Sequence, residues 1–206
     1  MSMILILTAV DDQTVNEVLA NPQTIHAVLS PEDFVAAAEP TPKRKKQSWL
    51  ARLLGTKPDQ PTPSAPAPAP KSGPGKTYES TDLDKAWHGI HFLLTGTAWE
   101  GEEPLNFLVQ GGKQVGDIDV GYGPARAYNS TQTQLIWKAL KTIDEAQLRK
   151  RFDPKQMSKL RIYPTIWSRN PKENDMLGYC SGHFNKLKQF VEKAVEKGQG
   201  LIIHIA

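Results

Sequence analysis

Apolar residues open and close this chain in two short, dense runs, with helical periodicity between them. Met3-Ile4-Leu5-Ile6-Leu7 and Leu201-Ile202-Ile203-His204-Ile205 are rich in branched side chains and bounded by acids or glycine, the pattern of buried strands. After the first run, Asp11 or Asp12 is placed to cap a helix carrying Val15, Val18 and Leu19. Asn21-Pro22 restarts a second helix with Ile25, Val28 and Leu29 inward. Ser30-Pro31-Glu32-Asp33 offers a further helix start.

The second half reads as mainly helical. Leu83 to Gly96 forms one amphipathic helix, with Leu83, Trp87, Ile90 and Leu94 as its apolar stripe. Leu105 to Val109 is an apolar run compatible with strand or buried helix, and a glycine-dense stretch from Gly111 to Gly123 follows. Thr131 begins a helix with a capping box to Gln134, and Asp144 and Asp153-Pro154 start two shorter ones. Tyr163 to Trp167 is expected to be extended, because the residue before a proline avoids helical angles. A last helix covers roughly 172 to 197, with Phe184, Leu187, Phe190, Val191 and Ala194 inward. The sum predicts an α+β fold: one helix-rich domain whose small sheet includes the N- and C-terminal strands.

That domain is interrupted. Residues 39–76 hold nine of the sixteen prolines, and residues 61–70 alternate proline with small residues, a polyproline-like spacer. The expected organisation is a strand-helix part at 1–38, a Pro/Lys-rich disordered insert at 39–76, and the rest of the same domain at 77–206. Charge follows this division. The insert carries eight basic residues against two acids, so a chain of net charge +3 leaves −3 on the remainder. A nucleic-acid surface on the folded part is therefore not indicated. Within the insert, Lys43-Arg44-Lys45-Lys46 precedes an apolar island of Trp49, Leu50, Leu53 and Leu54. Such a segment suits contact with a protein partner or with the surface of a membrane across residues 43–54.

One cysteine, Cys180, excludes an intrachain disulfide and suggests a reducing compartment. The first apolar run lacks a basic flank and is too short for a signal peptide or a span, so a cytoplasmic location is expected.

The candidate chemistry lies on the 83–96 helix. At about 100° per residue, Asp84, His88, His91 and Thr95 fall within an arc of roughly 60°. An acid and two imidazoles on one ridge can hold a metal, relay a proton, or hydrogen-bond one another on a solvated edge. The dense Cys/His spacing of zinc sites is missing, so neither metal nor cofactor is expected. In Gly121-Tyr122-Gly123-Pro124-Ala125-Arg126, paired glycines and a proline shape a loop, and Arg126 can clamp a carboxylate or phosphate. The alternative is a tight loop whose arginine pairs with Asp117 or Asp119. Gly75-Lys76-Thr77 ends like a P-loop but has Pro70 where glycine is required and no preceding strand. Cys180 and His183 would be helix neighbours, yet a lone cysteine on an amphipathic helix is usually a core residue.

The Met-Ile-rich start, Leu83–Gly96, Gly121–Arg126, Leu148-Arg149-Lys150-Arg151-Phe152-Asp153 and Ile162-Tyr163-Pro164, taken in order, resemble the YfbM-like family. Its members are bacterial proteins known mainly as a domain of unknown function. The resemblance covers residues 1–38 and about 77–206, omits the insert, and implies a compact α+β cytosolic protein. It brings no established activity and no catalytic residues. Two functions are therefore expected. One is a ligand- or protein-binding module whose pocket lies between helix 83–96 and loop 121–126. There Trp87, Thr95, Tyr122 and Arg126 would meet a small anionic ligand or a protein partner. The other is a hydrolase acting on a phosphorylated or nucleotide-like substrate, with Asp84 or His88 as base and His91 as acid.

Overall fold

The computed structural model describes residues 2–29, 76–170 and 172–206. Both expected terminal strands form. β1 (Leu5–Val10) and β5 (Gly200–Ile205) are antiparallel neighbours at the centre of the sheet, in register from Leu5 opposite Ile205 to Val10 opposite Gly200. Three strands complete the sheet, namely β2 (Glu79–Asp82), β3 (Lys113–Asp119) and β4 (Pro124–Tyr128). The order is β2-β1-β5-β4-β3 and every pairing is antiparallel. The glycine-dense stretch thus contains a hairpin that its composition concealed. Gly116 and Gly121 take positive φ there, and a Cβ on Gly121 would collide with the Ile205 carbonyl.

Seven α-helices are present among the described residues. They are α1 (Asp12–Ala20), α2 (Ile25–Leu29), α3 (Trp87–Thr95), α4 (Ser130–Leu140), α5 (Glu145–Arg151), α6 (Pro154–Lys159) and α7 (Met176–Glu196). Their starts follow local capping chemistry. Asp11 accepts the Thr14 N–H at 2.7 Å, Asp153 caps α6, and Asp144 forms a capping box with Gln147. The capping box of α4 is Asn129 with Gln132, two residues before the expected Thr131–Gln134. Asn129 is extended and so provides the non-helical backbone that an N-cap needs, whereas Thr131 is already helical. Three segments depart from expectation. Residues 84–86 form a 3₁₀ turn ahead of α3, Leu105–Val109 is a run of turns, and Tyr163–Trp167 is turned rather than extended.

Alternation along the strands splits the core in two. Leu5, Leu7, Leu201, Ile203 and Tyr128 face the larger cluster, which contains α3, the inner face of α4, and the Cys180, Phe184, Leu187 and Val191 stripe of α7. Val10, Ile202, Ala125, Ala127 and Val115 face the opposite way and pack on Val15, Val18, Ile25 and Val28 of α1 and α2. The first face is covered by long helices. The second is covered, among the described residues, by two short ones, which leave a groove over part of it.

Among the described residues, no helix is long and apolar enough to cross a membrane.

Candidate functional site

The histidine ridge is interior. All residues from Trp87 to Leu94 are buried, with His88 1% and His91 0% exposed. The solvated polar edge expected of this helix is not there, because the ridge is roofed by residues from distant parts of the chain. His88 lies between the indoles of Trp87 and Trp99, at centroid distances of 4.8 and 4.3 Å. Its Nδ1 accepts the backbone N–H of Tyr163 at 3.0 Å, which places its proton on Nε2, and Nε2–H donates to the Ala98 carbonyl at 2.7 Å. Both nitrogens are spent on holding loops, and burial lowers the pKa, keeping the ring neutral.

His91 is one turn further on. Burial pulls its pKa down to about 4, and the neighbouring His88 adds to the shift. Its Nε2 is 3.4 Å from Thr95 Oγ1, whose proton goes to the His91 carbonyl at 2.8 Å, and its Nδ1 has no partner among the described residues. Asp84 does not join these rings. Its carboxylate accepts the Tyr179 hydroxyl at 2.9 Å, tying the 3₁₀ turn to α7. Trp87, expected in a ligand wall, is fully buried and donates its indole N–H to the Met3 carbonyl at 3.2 Å. Among the described residues, no group of three His, Cys, Asp or Glu side chains is placed to hold a metal.

Arg126 does lie near the histidine helix, and its charge helps to keep His91 neutral. The space between them is filled, however, by the 97–111 segment. The guanidinium donates to the carbonyls of Phe107 (3.0 Å), Leu108 (2.7 Å), Gln110 and Gly111, and to Tyr128 Oη (3.0 Å). Tyr128 adds its own hydroxyl to the Phe107 and Gln110 carbonyls. Neither Asp117 nor Asp119 pairs with Arg126: Asp117 accepts from the Gln114 side chain, and Asp119 accepts from the N–H groups of Gly121 and Gly123. Tyr122 is exposed at the hairpin tip, where its N–H donates to the Ile205 carbonyl at 2.9 Å. Cys180 is buried, its thiol pushed up to about 12. Trp49, Leu50, Leu53 and Leu54 lie outside the described residues.

Among the described residues, a cavity of about 640 Å³ lies on the other side of the sheet, beside α2. Ile6 and Thr8 of β1, Ser80 of β2 and His204 of β5 form its floor, with α2, Tyr78, Val120 and Ala206 around it. His204 is 8% exposed, burial lowers its pKa, and its Nδ1 has no hydrogen-bond partner among the described residues. Sequence reasoning passed over these residues, although there was a signal. Thr8 and His204 are the polar positions in two otherwise apolar strands, and alternation puts them on one face.

Comparison with known proteins agrees with this architecture. The family described as Domain of unknown function (DUF1877) matches residues 1–204, and the chain belongs to that family. The curated Protein YfbM of Escherichia coli (strain K12) is 28% identical over 121 residues, covering 57% of this chain and 71% of that protein. The crystal structure of YfbM from Escherichia coli, a protein of unknown function, superposes with a TM-score of 0.62 at 18% identity. It covers 98% of this chain and 99% of the other, and so shows a shared fold.

Proposed function

We propose that this protein is a cytoplasmic ligand-binding module whose site is the groove over His204. The observation that carries the reading is a nearly buried imidazole, whose Nδ1 has no partner among the described residues, in the floor of a cavity large enough for a small molecule. A neutral imidazole offers one donor and one acceptor, and Thr8 and Ser80 beside it add hydroxyls of either sense. The described side chains of the lining include no carboxylate, lysine or arginine. The ligand it suits is therefore uncharged, with hydrogen-bonding groups on one edge and apolar surface toward Ile6, Val28 and Val120. Of the two walls expected from the sequence, only the 121–126 loop comes near this groove, through its neighbour Val120.

Two observations favour binding over the hydrolase alternative. The ring nitrogens of His88 are both committed to backbone groups, and Asp84 is committed to Tyr179, so the proposed acid-base groups do not face a common substrate.

The test is a ligand-observed NMR screen of uncharged heteroaromatic amides against the full chain, repeated with His204→Phe. Hits that compete with one another and are lost in the variant are expected. Hits that survive the variant, or a screen in which only anions bind, would refute the reading.

A further inference from the structure

Charge on the folded part is sorted by place. From Asp144 to Asp175 the chain carries eight lysines and arginines, all exposed, against five acids. The acids are engaged locally. Asp144, Asp153 and Asp175 accept backbone N–H groups in the first turns of α5, α6 and α7, Glu145 pairs with Arg149, and Glu173 accepts from the Asn170 amide. Of the eight cations, only Arg149 is in an ion pair among the described residues.

This basic surface contains a notch. A cavity of about 210 Å³ is lined by Phe152, Trp167, Met176 and Leu177 together with Arg149 and Arg169. Asp175 lines it too, with Oδ1 committed to the Gly178 N–H at 2.8 Å. Apolar walls beside guanidinium groups suit an apolar side chain flanked by carboxylates. Trp167 is only 2% exposed, so it offers no open ring face for a nucleic-acid base to stack on, and the notch fits a protein segment better.

The chain itself carries such a segment. Trp99 is 49% exposed, and Glu100, Glu102 and Glu103 next to it are exposed and in no ion pair among the described residues. The loop that presents them is held in shape. Thr97 Oγ1 donates to the Glu100 carbonyl at 2.6 Å, Asn106 Nδ2 donates to the Gly101 carbonyl at 2.9 Å, and a Cβ on Gly101 would strike Thr95. A loop ordered beforehand loses little conformational entropy on docking.

The acidic loop and the basic notch are also neighbours. Arg151 donates to the Leu93 and Leu94 carbonyls, so the end of α3 that leads into the loop rests against α5. A two-fold axis beside them would set the loop of each copy against the notch of the other, satisfying both patches twice.

We propose that this protein forms a two-fold homodimer in which Trp99, Glu100 and Glu102 of each copy enter the notch beside Arg149 and Arg169 of the other. The interface does not involve the groove over His204, and either can fail without the other.

The experiment is sedimentation velocity of the full chain from micromolar to millimolar concentration, in low and high salt. A monomer–dimer equilibrium with a dissociation constant on the order of 100 µM is expected in low salt, weakening about tenfold in high salt. Trp99→Ala should weaken it about tenfold with an unchanged circular dichroism spectrum. Two charge reversals at exposed positions, Arg149→Glu with Arg169→Glu and Glu100→Arg with Glu102→Arg, should each give a monomer, because like charges then face each other. An equimolar mixture of the two reversed proteins should dimerise, because every loop again meets a notch of opposite sign. A protein monomeric throughout the range, a dimer indifferent to either reversal, or a mixture that stays monomeric would each overturn the proposal.

Discussion

The backbone N–H of Tyr163 donates to Nδ1 of His88 across 75 residues of sequence, and that bond fixes which nitrogen of the ring keeps its proton. With Nε2–H on the Ala98 carbonyl, one imidazole joins α3 to two separate loops. His88→Phe keeps a flat ring between Trp87 and Trp99 but leaves a buried donor and a buried acceptor without partners. Each such group costs about 1–3 kcal/mol, so a loss of about 3 kcal/mol is expected in denaturant unfolding at pH 7.

The buried histidines also make stability depend on pH. The pKa values of His88, His91 and His204 are all lowered by burial, that of His91 from 6.5 to about 4. The unfolded chain therefore takes up protons first. Stability from these groups is complete above about pH 6.5 and is lost as pH falls toward 4, on the order of 3 kcal/mol for His91 alone. Asp11 and Asp82, whose pKa values are lowered by hydrogen bonds, act below that window. Thermal melts between pH 7.5 and 4 should show the decline, and His91→Gln should flatten it. A midpoint that stays constant over this range would contradict the argument.

Arg126 should prove to be a structural clamp, and its geometry matters more than its charge. Its fork reaches four carbonyls and a phenol, which a single ammonium cannot imitate. Arg126→Lys and Arg126→Met are both expected to destabilise by about 3 kcal/mol and to agree within about 1 kcal/mol. If the lysine variant kept full stability, charge rather than the fork would be the important property.

Gly89 offers a test in which two effects oppose each other. Alanine is favoured over glycine in a helix by about 1 kcal/mol. At this position, however, a Cβ would run into the Trp167 ring and come within 3.0 Å of Cys180 Sγ. Overpacking of a close-packed interior costs about 1–3 kcal/mol, so Gly89→Ala should lower the thermal midpoint despite its better propensity. Gly182 on α7 has open space around it, so Gly182→Ala should raise the midpoint.

Cys180 should be inert in the folded protein. It is fully buried and its thiol is pushed up to about 12, so a disulfide reagent at pH 8 should label it only after denaturant is added. Rapid labelling of the native protein would show that the top of α7 opens.

Local chemistry was well expressed in the chain. Strand runs at both ends, the Asp11, Asp144 and Asp153 helix starts and the inward stripe of α7 are all properties of neighbouring residues, and all appear where that chemistry places them. The β3–β4 hairpin was harder to see, because its glycines serve turns and close approaches rather than a hydrophobic pattern.

The candidate site depended on longer distances. Helical periodicity correctly placed His88, His91 and Thr95 on one ridge, but periodicity describes only the helix's own surface. Whether that ridge meets water was settled by Trp99, Tyr163 and the carbonyl of Ala98, none of which the helical repeat can register. In the same way, Arg126 looked like a free anion clamp until the 97–111 segment folded beneath it. Thr8 and His204 lie at opposite ends of the chain and share the floor of one groove only because β1 and β5 pair. Periodicity and capping energies act over a few residues and can be read from the chain. The burial of a polar side chain is set by whichever distant segment comes to cover it, and that follows only from the packed fold.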